Sequence, residues 1–270
     1  MGHLAGVRSW YTRWVASEGV HRTAAAFSDA APAYEQARPA YPPEVLRWLA
    51  ERGGIGPDVT VLDLAAGTGK LTRGLVGLGG RIVAVEPVAG MRRTLADVVD
   101  RAAVVAGVAQ AIPLRSGAVD VVTVAQAFHW FATESAVREV HRVLGPDGQL
   151  VVLWNRRDLD DPLQRALQRL MAPRRGGTPS FTTGEWRRAI ESARGEQPLF
   201  RPDGRMAVPW AQPTDADGVV SRVASVSFIA SLEPRTKARL LDDARRAALA
   251  APAPLALSYV AEVYAYRRVG

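Results

Sequence analysis

The sequence predicts an α/β protein with a doubly wound, mostly parallel sheet. Three observations predict it. Continuous Val/Leu runs recur along the chain, at Val59-Thr-Val-Leu-Asp-Leu64, Arg81-Ile-Val-Ala-Val85, Val119-Asp-Val-Val-Thr-Val124 and Gln149-Leu-Val-Val-Leu-Trp154. Segments with apolar residues at helical spacing separate them, which means parallel strands buried on both faces and crossed over by helices. A glycine turn, Ala65-Ala-Gly-Thr-Gly69, ends the first run, at the place where open sheets hold ligands. The 270 residues, 48% of them hydrophobic, suffice for one well-buried domain of this class with an appendage.

In chain order, residues 1–26 read as a leader with helical stretches, followed by a turn-rich, aromatic segment to Tyr41. Pro42 and Pro43 open a helix that Gly53 and Gly54 stop. Strands are expected at 59–66, 81–87, 102–109, 119–128 and 149–155, with helices at 69–80, 89–101 and 133–144 between them. Gly145-Pro-Asp-Gly148 reads as the stop of the last of these helices. Beyond Asn155, helices are expected at 160–172 and 183–194, then a mixed segment at 198–210. A helical region follows at 214–250, broken near Glu233-Pro234, and a final alternating strand covers 258–268.

Composition excludes several classes. No run of eighteen apolar residues occurs, so no membrane span is expected. Arg8, Arg13, Glu18 and Arg22 interrupt what a signal peptide would need as an apolar stretch. There is no cysteine, which removes disulfides, thiolate ligands and Cys nucleophiles and fits a cytoplasmic protein. His3, His21, His129 and His141 are dispersed, without metal-ligand spacing, so no metal is expected. Net charge is +7, almost all of it from arginine, with only Lys70 and Lys237 as lysines. Pairs such as Arg92/Arg93, Arg187/Arg188 and Arg245/Arg246 are scattered over helix faces. That is the pattern of solvated faces rather than of a nucleic-acid surface.

The glycine turn defines the ligand problem. Gly67 and Gly69 let the backbone approach a ligand closely, and Glu86 ends the second strand, where a carboxylate can accept from two ribose hydroxyls. Together they indicate a nucleoside-containing cofactor. A dinucleotide fingerprint needs a third glycine, and here Lys70-Leu-Thr72 follows Gly69. Asp63, just before the turn, opposes a pyrophosphate and favours an uncharged or cationic ligand. No G-x-x-x-x-G-K-[ST] loop is present. The turn and the acid alone do not decide which nucleoside ligand is held.

The ordered motifs Val61-Leu-Asp-Leu-Ala-Ala-Gly-Thr-Gly-Lys-Leu-Thr72, "VAVEPVAGM", "VAQAIPL", "VDVVTVAQAFHWF" and "EVHRVLGPDGQLVVLWN" resemble class I S-adenosylmethionine-dependent methyltransferases. The resemblance covers residues 27–158 and is to the small-molecule branch that includes trans-aconitate methyltransferase-like proteins. It implies a mostly parallel seven-stranded Rossmann-like sheet with a helical N-terminal lid and a C-terminal cap insertion. On that reading residues 1–43 are leader and lid, 44–158 the S-adenosylmethionine-binding core, and 159–270 the cap with sheet-completing strands. Asp63, Ala65, Gly67 and Gly69 would border the methionine part of S-adenosyl-L-methionine. Glu86 would bind the ribose, Pro87 and Met91 the adenine, and the Ala109 backbone the adenine edge. Ala125 and Gln126 would line the methionine end. Tyr34 and Arg38, in the "YxxxRP" segment, look like a lid with Arg38 facing the cofactor carboxylate. Two positions depart from the family pattern: Ala65 stands where many members have glycine, and Val108 where many have a polar residue on the adenine amine.

The implied reaction is SN2 transfer of a methyl group to a small-molecule acceptor, which rests on alignment and, for a protonated nucleophile, on a base. His129 is the candidate catalytic base. Trp130 and Tyr34 are candidates to face the sulfonium or substrate, since aromatic faces attract cations by about 0.5–2 kcal/mol. Trp154, Asn155, Ser225 and Ser227 are candidates for the acceptor pocket, and Arg156, Arg157 and Arg222 for recognising an acidic acceptor. Alternatives remain: an RNA or DNA methyltransferase, though the base-stacking (D/N)-P-P-(Y/F) turn is absent from "AQAFHW", or a non-catalytic cofactor-binding protein on the same fold.

Overall fold

Pro42 caps helix α1, Pro43–Glu51, which carries Val45 and Leu49 one turn apart and fully buried. The computed structural model describes residues 35–270; the leader and Tyr34 lie outside them. The central element is one seven-stranded sheet in the order β3-β2-β1-β4-β5-β7-β6. Its strands are β1 (Thr60–Leu64), β2 (Arg81–Val85), β3 (Ala102–Val105), β4 (Val119–Ala125), β5 (Leu144–Arg157), β6 (Phe200–Pro213) and β7 (Ala256–Arg268). Strands β1 to β5 run parallel, and β7 is antiparallel to both β5 and β6. Chain order reverses between β1 and β4, which opens a crevice at their carboxyl ends.

Alternation along each strand distributes side chains to two faces. Leu62, Leu64, Val122 and Val124 pack on the side of α4 (Glu134–Val143), whereas Val61 and Val121 pack on the side of α1 and α2 (Lys70–Gly77). Helix α3, Ala89–Val98, covers the β2–β3 end through Leu95. Helices α5 (Pro162–Met171), α7 (Ala216–Ala224) and α9 (Pro234–Leu249) form a third apolar cluster with Leu257 and Tyr259 of β7. Helix α6, Glu185–Ser192, adds Trp186 and Ile190 to the main core, and α8, Ser227–Ala230, follows α7.

Three boundaries differ from the sequence reading. Strand β3 ends at Val105, because Gly107 turns the chain where an added Cβ would lie 2.7 Å from both Pro113 and Val85. Residues 145–148 do not stop a helix; they open β5, with a bulge where Val119 pairs Leu144 and Val121 pairs Gln149. The mixed segment becomes the edge strand β6, whose Pro202, Pro209 and Pro213 suit a strand with one unpaired side.

Candidate functional site

The turn after β1 is built from left-handed residues: Ala65 at φ 57°, Gly67 at φ 60° and Gly69 at φ 87°. Ala65 and Gln126 (φ 61°) are the non-glycine residues with positive φ among the described residues, and both line the cavity at the crevice. Alanine in this conformation costs about 1–2 kcal/mol. The turn thus carries a methyl where many family members have glycine, at a backbone cost. Ala65→Gly is expected to raise folded-state stability by about 1 kcal/mol in urea denaturation; an unchanged or lower midpoint would contradict the strain. Around Gly67 there is open space, since an added Cβ would meet only the Met91 sulfur, at 3.7 Å.

Glu86 is the acid of the cavity wall. It is 4% exposed. Its Oε2 accepts from the Gly67 N–H at 2.9 Å and its Oε1 from the Val88 N–H at 2.8 Å. Arg92 fixes the same loop by donating to the Glu86 and Pro87 carbonyls at 2.9 and 3.1 Å. Burial pushes the Glu86 carboxyl up to about 7, against the two backbone hydrogen bonds and Arg92. Pro87, Val88 and Met91 continue the wall as an apolar slot beside it, and Arg38, Ala125, Gln126 and Trp130 close the other side. The donor and acceptor set therefore fits a nucleoside with a vicinal diol and a flat base.

Some expected wall residues do not reach the cavity. Asp63 shares the Val61 face, toward α2, and its carboxylate accepts from Thr72 Oγ1 at 2.7 Å and Thr123 Oγ1 at 3.0 Å. It is 1% exposed and burial raises it to about 6, so it pins α2 to β4 from behind the turn. Gly69 serves packing: a Cβ there would lie 2.5 Å from Leu95 Cδ1. Ala109 is buried in the main core. Trp154 is also core, fully buried and stacked on Phe181 at 4.9 Å, because it shares its face of β5 with Leu150 and Val152. Ser225 caps α7, its hydroxyl donating to the Arg222 carbonyl at 2.8 Å.

A second chamber adjoins the first and shares Arg38, Gln126, Trp130, Asn155 and Arg222 with it. Asn155 is held by its Nδ2 donating to the Ala40 carbonyl at 2.9 Å and by Trp210 Nε1 donating to its Oδ1 at 3.2 Å. Ser227 lines this chamber, and so does His129. The His129 ring lies between Trp130 and Trp154, with centroids 4.8 and 5.3 Å away. Burial first, and then the Arg175 and Arg38 charges, lower it to about 3, so the ring is neutral at physiological pH.

Sequence reasoning missed Glu35 and the 175–182 loop. Glu35 bridges the segment ahead of α1 to α2, pairing with Lys70 at 3.1 Å and with Arg73, and accepting from Thr68. Its neighbour Tyr34 in the "YxxxRP" segment was the available signal. Arg175, Ser180 and Thr182 line the second chamber from a segment with no period to read.

Comparison with known proteins places the chain. The methyltransferase domain family matches residues 62–152. An uncharacterized methyltransferase of Mycobacterium tuberculosis (strain ATCC 25618 / H37Rv) is 35% identical over 239 residues, covering 87% of this chain and 92% of the relative. An uncharacterized methyltransferase of Schizosaccharomyces pombe is 39% identical over 145 residues, 53% of this chain and 58% of the relative. A solved structure from Anaeromyxobacter dehalogenans, assigned as a type II methyltransferase, superposes with a TM-score of 0.61 at 22% identity, covering 85% and 97% of the two chains. The YcgJ protein of Bacillus subtilis gives 0.53 at 17% identity, covering 85% and 100%. The order of the sheet, the glycine turn and Glu86 at the switch point agree with this kinship: the chain belongs to the class I S-adenosylmethionine-dependent methyltransferases.

Proposed function

We propose that this methyltransferase acts on a small-molecule acceptor bound in the second chamber. The observation that carries the reading is the shared wall: Arg38, Gln126, Trp130, Asn155 and Arg222 border both cavities, so a donor in one and an acceptor in the other meet there. S-adenosylmethionine, when bound, supplies an electrophilic methyl group on a sulfonium. Glu86 accepts from the ribose hydroxyls, and Pro87 and Met91 flank the adenine. Ala65, Gly67, Ala125 and Gln126 border the methionine part. Arg38 pairs with its carboxylate while its Nη2 donates to the Ser225 carbonyl at 2.8 Å. Trp130 presents an aromatic wall at the junction, where a cationic centre gains about 0.5–2 kcal/mol.

Within this reading His129 meets the acceptor in its neutral form and takes the proton that the nucleophile loses once a bound acceptor anion offsets the Arg38 and Arg175 charges that otherwise oppose the imidazolium. The test is a methyl-labelled S-adenosylmethionine incubation with a fractionated cell extract. Label is expected in the low-molecular-weight fraction; label only in nuclease-sensitive material would overturn the small-molecule reading. On the labelled acceptor, His129→Ala is expected to lower single-turnover methylation about 100-fold without changing S-adenosylhomocysteine affinity. Near-normal single turnover would remove His129 from the chemistry.

A further inference from the structure

The second chamber has an unusual charge inventory. Arg38, Arg156, Arg157, Arg175 and Arg222 line it, and no Asp or Glu does among the described residues. Arg156 is neutralised by Glu262 at 3.1 Å. Arg157, Arg175 and Arg222 bond only to neutral groups. Arg157 donates to Gln168 Oε1 at 3.0 Å and to the Met171 sulfur at 3.6 Å. Arg175 donates to Ser180 Oγ at 2.9 Å, and Arg222 Nε to the Tyr259 hydroxyl at 3.2 Å. Arg222 is only 8% exposed, and its Nη1 is buried with no partner. A buried guanidinium without a counter-charge is costly. The cost is compounded here, because burial and the neighbouring Arg222, Arg38 and Arg175 all work against the Arg157 charge. Arginine stays protonated in such surroundings rather than discharging. A site that gathers uncompensated cations of fixed fork geometry is matched to an oxyanion, which takes two N–H donors from each guanidinium.

We propose that Arg157, Arg175 and Arg222 form an oxyanion-binding site that anchors a carboxylate or phosphate group of the methyl acceptor. The proposal rests on the reading of the second chamber as the acceptor site. The unpartnered Nδ1 of His129 and the paired hydroxyls of Ser180 and Thr182, 2.8 Å apart, supply neutral polar groups in the same chamber. The acceptor class is therefore a small acid, oriented by its anion with the methyl-accepting atom toward Gln126, Trp130 and Asn155.

The experiment titrates citrate and inorganic phosphate separately into the full-length protein saturated with S-adenosylhomocysteine, in about 150 mM salt to screen the exposed cations. Saturable binding of at least one anion is expected: citrate alone marks a carboxylate acceptor, phosphate alone a phosphate monoester. Arg157→Gln and Arg175→Gln are each expected to weaken that binding about 10-fold or more, the loss of one charge-assisted hydrogen bond. S-adenosylhomocysteine affinity should stay within about twofold in both, since neither residue lines the first cavity. Because Arg175 is half-buried and in a loop, its variant remains informative even when Arg157→Gln does not fold. Failure of both anions to bind to folded, S-adenosylhomocysteine-loaded protein, or equal binding by both variants, would overturn the site. If the anions bind at these arginines but methyl label enters nucleic acid, the acceptor reading falls while the anion site stands.

Discussion

Trp154→Ala is expected to lower folded-state stability by about 3–5 kcal/mol, the range for truncating a large aromatic in a well-packed core. Trp154 has no exposed surface. It stacks on Phe181 and is tilted against Trp186 and His129 at 5.6 and 5.3 Å. Its Nε1 has no partner, so truncation removes packing and no hydrogen bond. In a chain of this length about 2–4 °C of Tm goes with each kcal/mol, which puts the expected fall near 10 °C. The effect is also directional. Phe181 and His129 are wall residues of the second chamber, whereas Trp154 does not line the Glu86 cavity. Anion binding in the second chamber should weaken more than S-adenosylhomocysteine binding does. A Tm within about 2 °C of wild type would refute the core assignment.

Glu86→Ala is expected to weaken S-adenosylmethionine binding by about 1.5–3 kcal/mol, through loss of charge-assisted hydrogen bonds to the ribose. Calorimetry on a folded variant with an unchanged dissociation constant would refute the ribose assignment. The wild-type carboxyl carries a second signature. In the free protein burial holds it near 7, while two hydroxyl donors would favour the carboxylate. Binding therefore expels a proton, and affinity rises with pH from about 5 until it levels off above 7. The Glu86 contribution to the stability of the free protein runs the other way. A carboxyl whose folded pKa is raised from 4.5 to about 7 stabilises fully below its unfolded pKa and loses that contribution as pH rises through 7. The amount is on the order of 3 kcal/mol. Glu86→Gln should flatten the binding profile and remove this component of the stability profile, and a wild-type advantage over the variant that grows between pH 5 and 8 would contradict this placement of the group.

The fold was legible because its signal is repeated. Each buried parallel strand is a continuous Val/Leu run and each crossover a helical period, so a doubly wound parallel sheet follows from a few rules, while its strand order is read from the structure. Glu86 was legible for the same reason: the last residue after a buried strand has one place to go. Asp63, Trp154 and Gly69 were misread toward the ligand because proximity to a strand end says nothing about the face. Asp63 follows the Val61 face to Thr72, and Trp154 follows Leu150 and Val152 into the core. Edge strand β6 was obscured by its prolines, which sequence rules count against a strand but which an unpaired edge tolerates.

The linear pattern decides the buried parallel strands with their helical crossovers and the carboxylate that follows β2, while the donor family rests on the resemblance of motifs ordered over residues 27–158. The second chamber depends on the tertiary structure. Arg38, Arg157, Arg175 and Arg222 come from the segment ahead of α1, the end of β5, an irregular loop and α7, and read singly each is an ordinary surface arginine. Chain folding brings them together around a space that no Asp or Glu lines among the described residues. A shared electrostatic field is a property of distances in three dimensions, and sequence spacing does not encode those distances.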